Sequence, residues 1–289
     1  MKWRDRDRST NIRSGGRGIG KTIGGGSIIL ALVVFLVTGN PFAALNVGIR
    51  SNQVLPGSVK QEEIRLSADE KELYDFSAVA LKDTEDTWHK ILKDYGHSYK
   101  DAEMIVFQNK VKSGCGIASS GMGPFYCGAD RSVYMDLSFY DTLLKQFGNK
   151  DNRFILSYVI SHEIGHHVQN ELGIMDEVNR KRARAGEREK NELTVRLELM
   201  ADYLAGVVAR YQKDKGYLDP GDIDAAIEAA WSIGDDAIQK RSQGYVTPES
   251  FTHGTSKQRS RWFMKGYKAG NLDDFNTFDY KLYPTADRL

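Results

Sequence analysis

The chain has 289 residues, 40% hydrophobic and 27% charged, with a mean hydropathy of −0.48, a balance that excludes a polytopic membrane protein and wholesale disorder. Its formal net charge of +1 conceals an uneven distribution: residues 1–21 hold seven basic side chains against Asp5 and Asp7, so the remainder is acidic by about four charges. Two cysteines are too few for a disulfide-built mini-fold or an all-cysteine zinc site.

No charged residue lies between Lys21 and Arg50, and Ile23 to Val37 reads IGGGSIILALVVFLV, apolar on every helical face. A span takes roughly 20 such residues, so residues 22–46 are expected to form one transmembrane helix. An uncleaved anchor is preferred to a cleaved signal peptide, because no clean small-x-small site follows the apolar run. By the positive-inside rule, residues 1–21 are expected in the cytoplasm of a bacterial cell. The rest of the chain would then be periplasmic or extracellular, tethered to the inner (cytoplasmic) membrane by a single pass. The basic residues lack aromatic interleaving or a binding motif, so no nucleic-acid partner is expected.

Residues 47–66 read as a linker, and the soluble domain is expected over 67–270. Ser67 is placed to cap a helix over residues 68–94, with Leu73, Phe76, Val79, Ala80, Trp88, Ile91 and Leu92 at helical spacing and Gly96 beyond its end. The runs EMIVF (103–107), FYC (125–127) and SVYMDL (132–137) read as strands of a small sheet. Connections too short for helical crossovers predict that the sheet is antiparallel. Cys115 and Cys127 sit twelve residues apart among glycines, placed for a disulfide outside the cytoplasm or for a pair of buried thiols. Helices are then expected over 138–147, 153–172 and about 192–215, with a further one opened by Asp219 as cap and Pro220, and a last one after Thr255 and Ser256. The charged stretch 176–190 reads as solvated surface, and the tail 271–289 has no period and is given no role. The fold class is α+β, mainly helical with a small antiparallel sheet, preceded by the one transmembrane helix.

The chemistry is concentrated in SHEIGHH. His162 and His166 are four apart, one turn above each other on a helix, where both imidazoles can bind one Zn2+ while Glu163 reaches the metal-bound water. A catalytic zinc needs a third protein ligand, and the candidate is Glu198 in RLELMADYLAGV. Asp202, one turn on, is placed to accept the other N–H of a ligand histidine. Two acids on an apolar helix are costly to bury without such partners; the alternative is a solvated edge. His167 lies about 100° off the metal face, and His89 and His97 read as ordinary histidines.

SHEIGHHVQN followed by Glu198-Leu-Met-Ala-Asp202 resembles the gluzincin group of zinc metallopeptidases. The N-terminal anchor, the GxxxFYCxxDxxxYxD stretch around Tyr126 and the late FTHGTSKQR segment make the chain similar to the bacterial neutral zinc metallopeptidase family, from the anchor to about Gly270. The interval from His166 to Glu198 is longer than in thermolysin-like enzymes. The resemblance implies a zincin-like domain and a membrane-anchored zinc metalloendopeptidase acting on peptide or protein substrates. Glu163 would be its general base, and the catalytic partner for the oxyanion would be His253, with Tyr203 as the second candidate. Two alternatives share these residues: a non-catalytic, membrane-tethered zinc-binding scaffold, and a zinc amidase acting on cell-wall material. The other reading of His253, which Gly254, Thr255 and Ser256 follow, is that it only orders the start of the last helix. An FYC edge strand above the metal could pair with an extended substrate or simply close the sheet.

Overall fold

The computed structural model describes residues 1–15, 66–119, 122–146 and 152–289. The transmembrane segment expected at 22–46 lies outside them, as does the linker up to residue 65; among the described residues no helix is long and apolar enough to cross a membrane. Helix α1 (Ala68–Asp94) opens with a reciprocal capping box, in which Ser67 Oγ accepts from Glu70 N and Glu70 Oε2 accepts from Ser67 N. Every apolar position assigned to its buried face is buried.

Four strands form one sheet in the order β1 (Ile12–Ser14), β2 (Glu103–Phe107), β6 (Ser132–Asp136), β5 (Phe125–Cys127), with a separate hairpin of β3 (Lys110–Ser113) and β4 (Gly116–Ser119). The expected antiparallel arrangement holds only for β5 with β6; β1 and β6 both run parallel to β2. The parallel return needs no helix here, because the chain between β2 and β6 makes the β3–β4 hairpin and β5 on the way. Cys115 and Cys127 form a disulfide that ties this excursion to the end of β5.

The helical part comprises α2 (Ser138–Gln146), α3 (Phe154–Glu171), α4 (Ile174–Arg182), α5 (Glu187–Asp214), α6 (Asp222–Ser232), α7 (Asp235–Gln243) and α8 (Ser256–Ala269). Helix α5 packs against α3 on one side and α8 on the other. Two departures from expectation have local causes. Asp219 does not cap α6; its carboxylate and that of Asp222 each lie 2.9 Å from the Met1 amine, and the helix starts after Gly221. The short helix α7 has no apolar period to betray it, and α4 occupies part of the stretch expected to be solvated surface.

Described residues outside the expected limits of 67 and 270 also pack on the domain. Trp3 is buried edge-on against Phe76, with ring centroids 5.7 Å apart, and β1 is hydrogen-bonded into the sheet. Residues 1–15 therefore pack on the domain. The tail also packs: Arg196, wholly buried, donates to the carbonyls of Thr277 and Tyr283, and Leu289 is buried.

Arg6 reaches into the core to pair with Asp83, which also accepts from Gln212 Nε2 at 2.8 Å. Burial outweighs these attractions and pushes the Asp83 carboxyl up to about 6. The folded chain thus holds a proton that the unfolded chain has released between about pH 4 and pH 6, so this group's contribution to stability falls as pH rises through that window. Relative to Asp83→Asn, the wild type should lose about 3 kcal/mol between about pH 4 and pH 7, read from urea denaturation of both proteins; a pH-independent difference would refute the assignment.

Candidate metal centre

Helix α3 carries His162, Glu163 and His166, and α5 carries Glu198 and Asp202. The two helices come close at Gly165, the residue between the histidines: a Cβ there would stand 3.1 Å from the Ala201 carbonyl oxygen and 3.2 Å from its Cα. That approach lets Glu198 meet both imidazoles, with Oε2 3.2 Å from His162 Nε2 and Oε1 3.4 Å from His166 Nε2. The donor atoms of these three residues lie within 4.8 Å of one another. Ligand atoms around a tetrahedral zinc, at the usual bond lengths of about 2.1 Å, stand about 3.4 Å apart, so two imidazoles and one carboxylate at these separations fit the ion.

The outer nitrogens are equally engaged. His162 Nδ1 lies 2.9 Å from Asp202 Oδ1, and His166 Nδ1 lies 3.0 Å from Gln169 Oε1, whose amide nitrogen donates to the Leu197 carbonyl across on α5. Each Nδ1–H is thereby held by an acceptor and each Nε2 faces the cluster, the tautomer a metal requires. Asp202 has no solvent exposure and also accepts from Tyr158 Oη at 2.7 Å and from Arg259 Nε at 2.8 Å. Burial alone would raise its pKa; Arg259 and then His162 outweigh that and bring it to about 2. Glu198 is likewise held well below the ordinary range, against its burial, by His166 and His162 and more weakly by His253. Conversely, Asp202 and Glu198 overcome the burial of His162 and push it up to about 10. The cluster favours positive charge, as a cation site must.

Glu163 accepts a hydrogen bond from the Tyr126 backbone N–H at 2.8 Å through Oε2. Strand β5, at the sheet edge, thus fixes the carboxylate beside the ligands, and burial raises its pKa. His167, off the metal face as expected, is buried: its Nε2–H donates to the Lys100 carbonyl at 2.7 Å, so its Nδ1 accepts from Tyr126 Oη at 3.0 Å. It positions Tyr126 and does not join the ligand set. His89 is exposed and pairs with Asp101 at 2.9 Å, and His97 is exposed.

His253 is buried, with Nδ1 3.1 Å from Asp235 Oδ1. The other oxygen of Asp235 accepts the backbone N–H groups of Thr252, His253 and Gly254 at 2.7, 2.6 and 3.0 Å, which fixes this loop on the N-terminus of α7. Tyr203, the second candidate for the oxyanion, is instead in the core against Trp262, with ring centroids 6.0 Å apart. Gln169, Arg259, Tyr158 and Asp235 are the residues that sequence reasoning missed. Gln169 had a signal, a buried polar group three residues after His166; nothing along the chain pairs Asp235 with His253.

A family model described as "Putative neutral zinc metallopeptidase" matches residues 1–278. The chain is 41% identical over 288 residues to the uncharacterized protein YpfJ of Escherichia coli K12, covering 96% of this chain and 99% of that one. It is 38% identical over 238 residues, 78% of each chain, to the uncharacterized proteins Mb2605 of Mycobacterium bovis and Rv2575 of Mycobacterium tuberculosis H37Rv. No solved structure matches it.

Because Asp202 holds the tautomer of His162, Asp202→Asn should weaken zinc affinity roughly 10–100-fold, measured by competition with a chromogenic chelator on protein verified as folded by circular dichroism. Unchanged affinity would show that the contact does not support the ligand.

Proposed function

The chain belongs to the neutral zinc metallopeptidase family, and from that premise we propose that it is a zinc endopeptidase in which Glu163 is the general base. One observation carries the reading: a carboxylate outside the ligand set, held by the Tyr126 N–H at 2.8 Å, stands beside a cluster of three buried donors. Among the described residues no fourth protein donor joins that cluster, which suits a catalytic site with an open position rather than a closed structural one.

His162, His166 and Glu198 would hold the zinc, which when bound supplies a Lewis acid that polarises a peptide carbonyl and acidifies a water. Glu163 takes the proton of the attacking water through the oxygen not committed to Tyr126 and returns it to the departing amine. Its raised pKa suits both transfers. His253, held by Asp235 through Nδ1, would as an imidazolium donate from Nε2 to the developing oxyanion.

The disulfide supports work in an oxidising compartment outside the cytoplasm. The apolar run from Ile23 to Val37 supports attachment to a membrane. The pairing of β1 with β2 supports a reading in which residues 1–15 and the domain lie on one side of that membrane.

Glu163→Gln should abolish chelator-sensitive cleavage of a peptide library while zinc stays bound at wild-type stoichiometry by metal analysis. Undiminished activity in that variant would sink the proposal. His253→Ala should lower kcat roughly 100–1,000-fold with little change in KM, the signature of a contact made only in the transition state; a change confined to KM would assign His253 to substrate binding instead.

A further inference from the structure

Arg182 is the last residue of α4, in a stretch whose other basic residues, Arg180, Lys181 and Arg184, are exposed. A helix C-terminus favours a cation, and that accounts for all of them. It does not account for the burial of Arg182, which retains only 9% exposure and whose Nε donates to no described residue. The carboxylates of Glu198 and Glu187 act on its charge through space, yet a buried Nε–H without an acceptor leaves room for one more partner. The nearby carboxylate of Glu198 is already shared between His162 and His166.

Arg182 lines a cavity of about 30 Å³ together with Tyr126, His166, Asn179, Thr194 and Glu198. Two of these are metal ligands and a third is the residue whose N–H holds Glu163, so the cavity opens directly on the reacting groups. It has room for a small polar group on the scale of a carboxylate. A guanidinium presents a planar fork of donors matched to the two oxygens of a carboxylate.

We propose that Arg182 is a specificity residue that binds a substrate carboxylate next to the scissile bond, supplied by an Asp or Glu side chain or by the free C-terminus of the peptide. This rests on the peptidase reading for its substrate, though the binding site stands on geometry alone. The test compares matched quenched-fluorescence peptides that differ only in Glu against Gln at each position flanking the cleaved bond, and only in a free against an amidated C-terminus. The wild type should favour one of these carboxylates at least about tenfold in kcat/KM, and Arg182→Met should bring that ratio close to one. Selectivity in the Glu/Gln pairs identifies a side-chain carboxylate, and selectivity in the acid/amide pairs identifies the C-terminus. Arg182→Lys, which keeps the charge and loses the fork, should retain part of the ratio. Equal rates across all pairs in the wild type, or a ratio that survives in Arg182→Met, would overturn the proposal. If the wild type with zinc cleaves no peptide, the peptidase reading fails, and binding decides the fate of Arg182. Calorimetric titration with glutarate and with glutaramide, on zinc-loaded and zinc-free protein, should show glutarate preferred and its affinity reduced about tenfold or more in Arg182→Met. Equal glutarate affinity in the two proteins would overturn the proposal.

Discussion

The carboxylate of Asp202 is the point on which both the helix packing and the metal centre depend. It stands on α5, takes hydrogen bonds from Tyr158 and His162 on α3, and is gripped by Arg259 of α8 through Nε at 2.8 Å and Nη2 at 3.0 Å. Neither Asp202 nor the Arg259 side chain has appreciable exposure, so each charge makes the other tolerable; removing either partner of such a pair costs about 3–5 kcal/mol. The same ion pair that fixes three helices therefore also holds a ligand histidine in one tautomer. A helix shift large enough to loosen the core would also release His162 Nδ1, which couples metal affinity to global stability more tightly than the ligand atoms alone would.

Those contacts are short because backbones are allowed to approach. On one side of α5 lies Gly165 of the histidine motif. On the other, a Cβ at Gly206 would stand 2.0 Å from the Phe263 carbonyl oxygen and one at Gly266 would stand 1.9 Å from that of Tyr203. The α5–α8 crossing is thus closed by paired glycines, and it brings Arg259 within reach of Asp202. The apolar core supplies the driving force for association, yet the absence of these two side chains sets the distance at which the polar network can form.

How much of this could be read from the chain follows from the range of the interactions. The ligand set was legible because His162 and His166, and Glu198 and Asp202, are each one helical turn apart, and a turn is a sequence-local distance. The capping boxes at Ser67 and Thr255 were legible for the same reason, each closing over three residues. What escaped was long-range. Arg259 lies 57 residues from Asp202, and Asp235 lies 18 from His253, with no periodicity connecting them. The parallel pairing of β2 with β6 was missed because strand direction was inferred from connection length, and a hairpin can occupy a connection as well as a helix does. Helix α7 is held by Asp235 and Asp236, which accept from the backbone of the following loop, rather than by an apolar face.

The uneven charge distribution has a different meaning once the partners are known. Arg4, Arg6, Arg8 and Arg13 were read as a signal for orientation across a membrane, yet they pair with Glu72, Asp83, Asp75 and Glu103 respectively. Four basic residues of the positive block are thus paired with acids of α1 and β2, and the terminal amine itself is taken up between Asp219 and Asp222. Three of these four arginine pairs are partly exposed and screened by solvent, so together they align the segment more than they stabilise it. The exception is Arg6, because its partner Asp83 is buried and would otherwise face only Gln212. A positive-inside argument counts charges without asking what they touch, and in this chain the buried acid of α1 pairs with one of them.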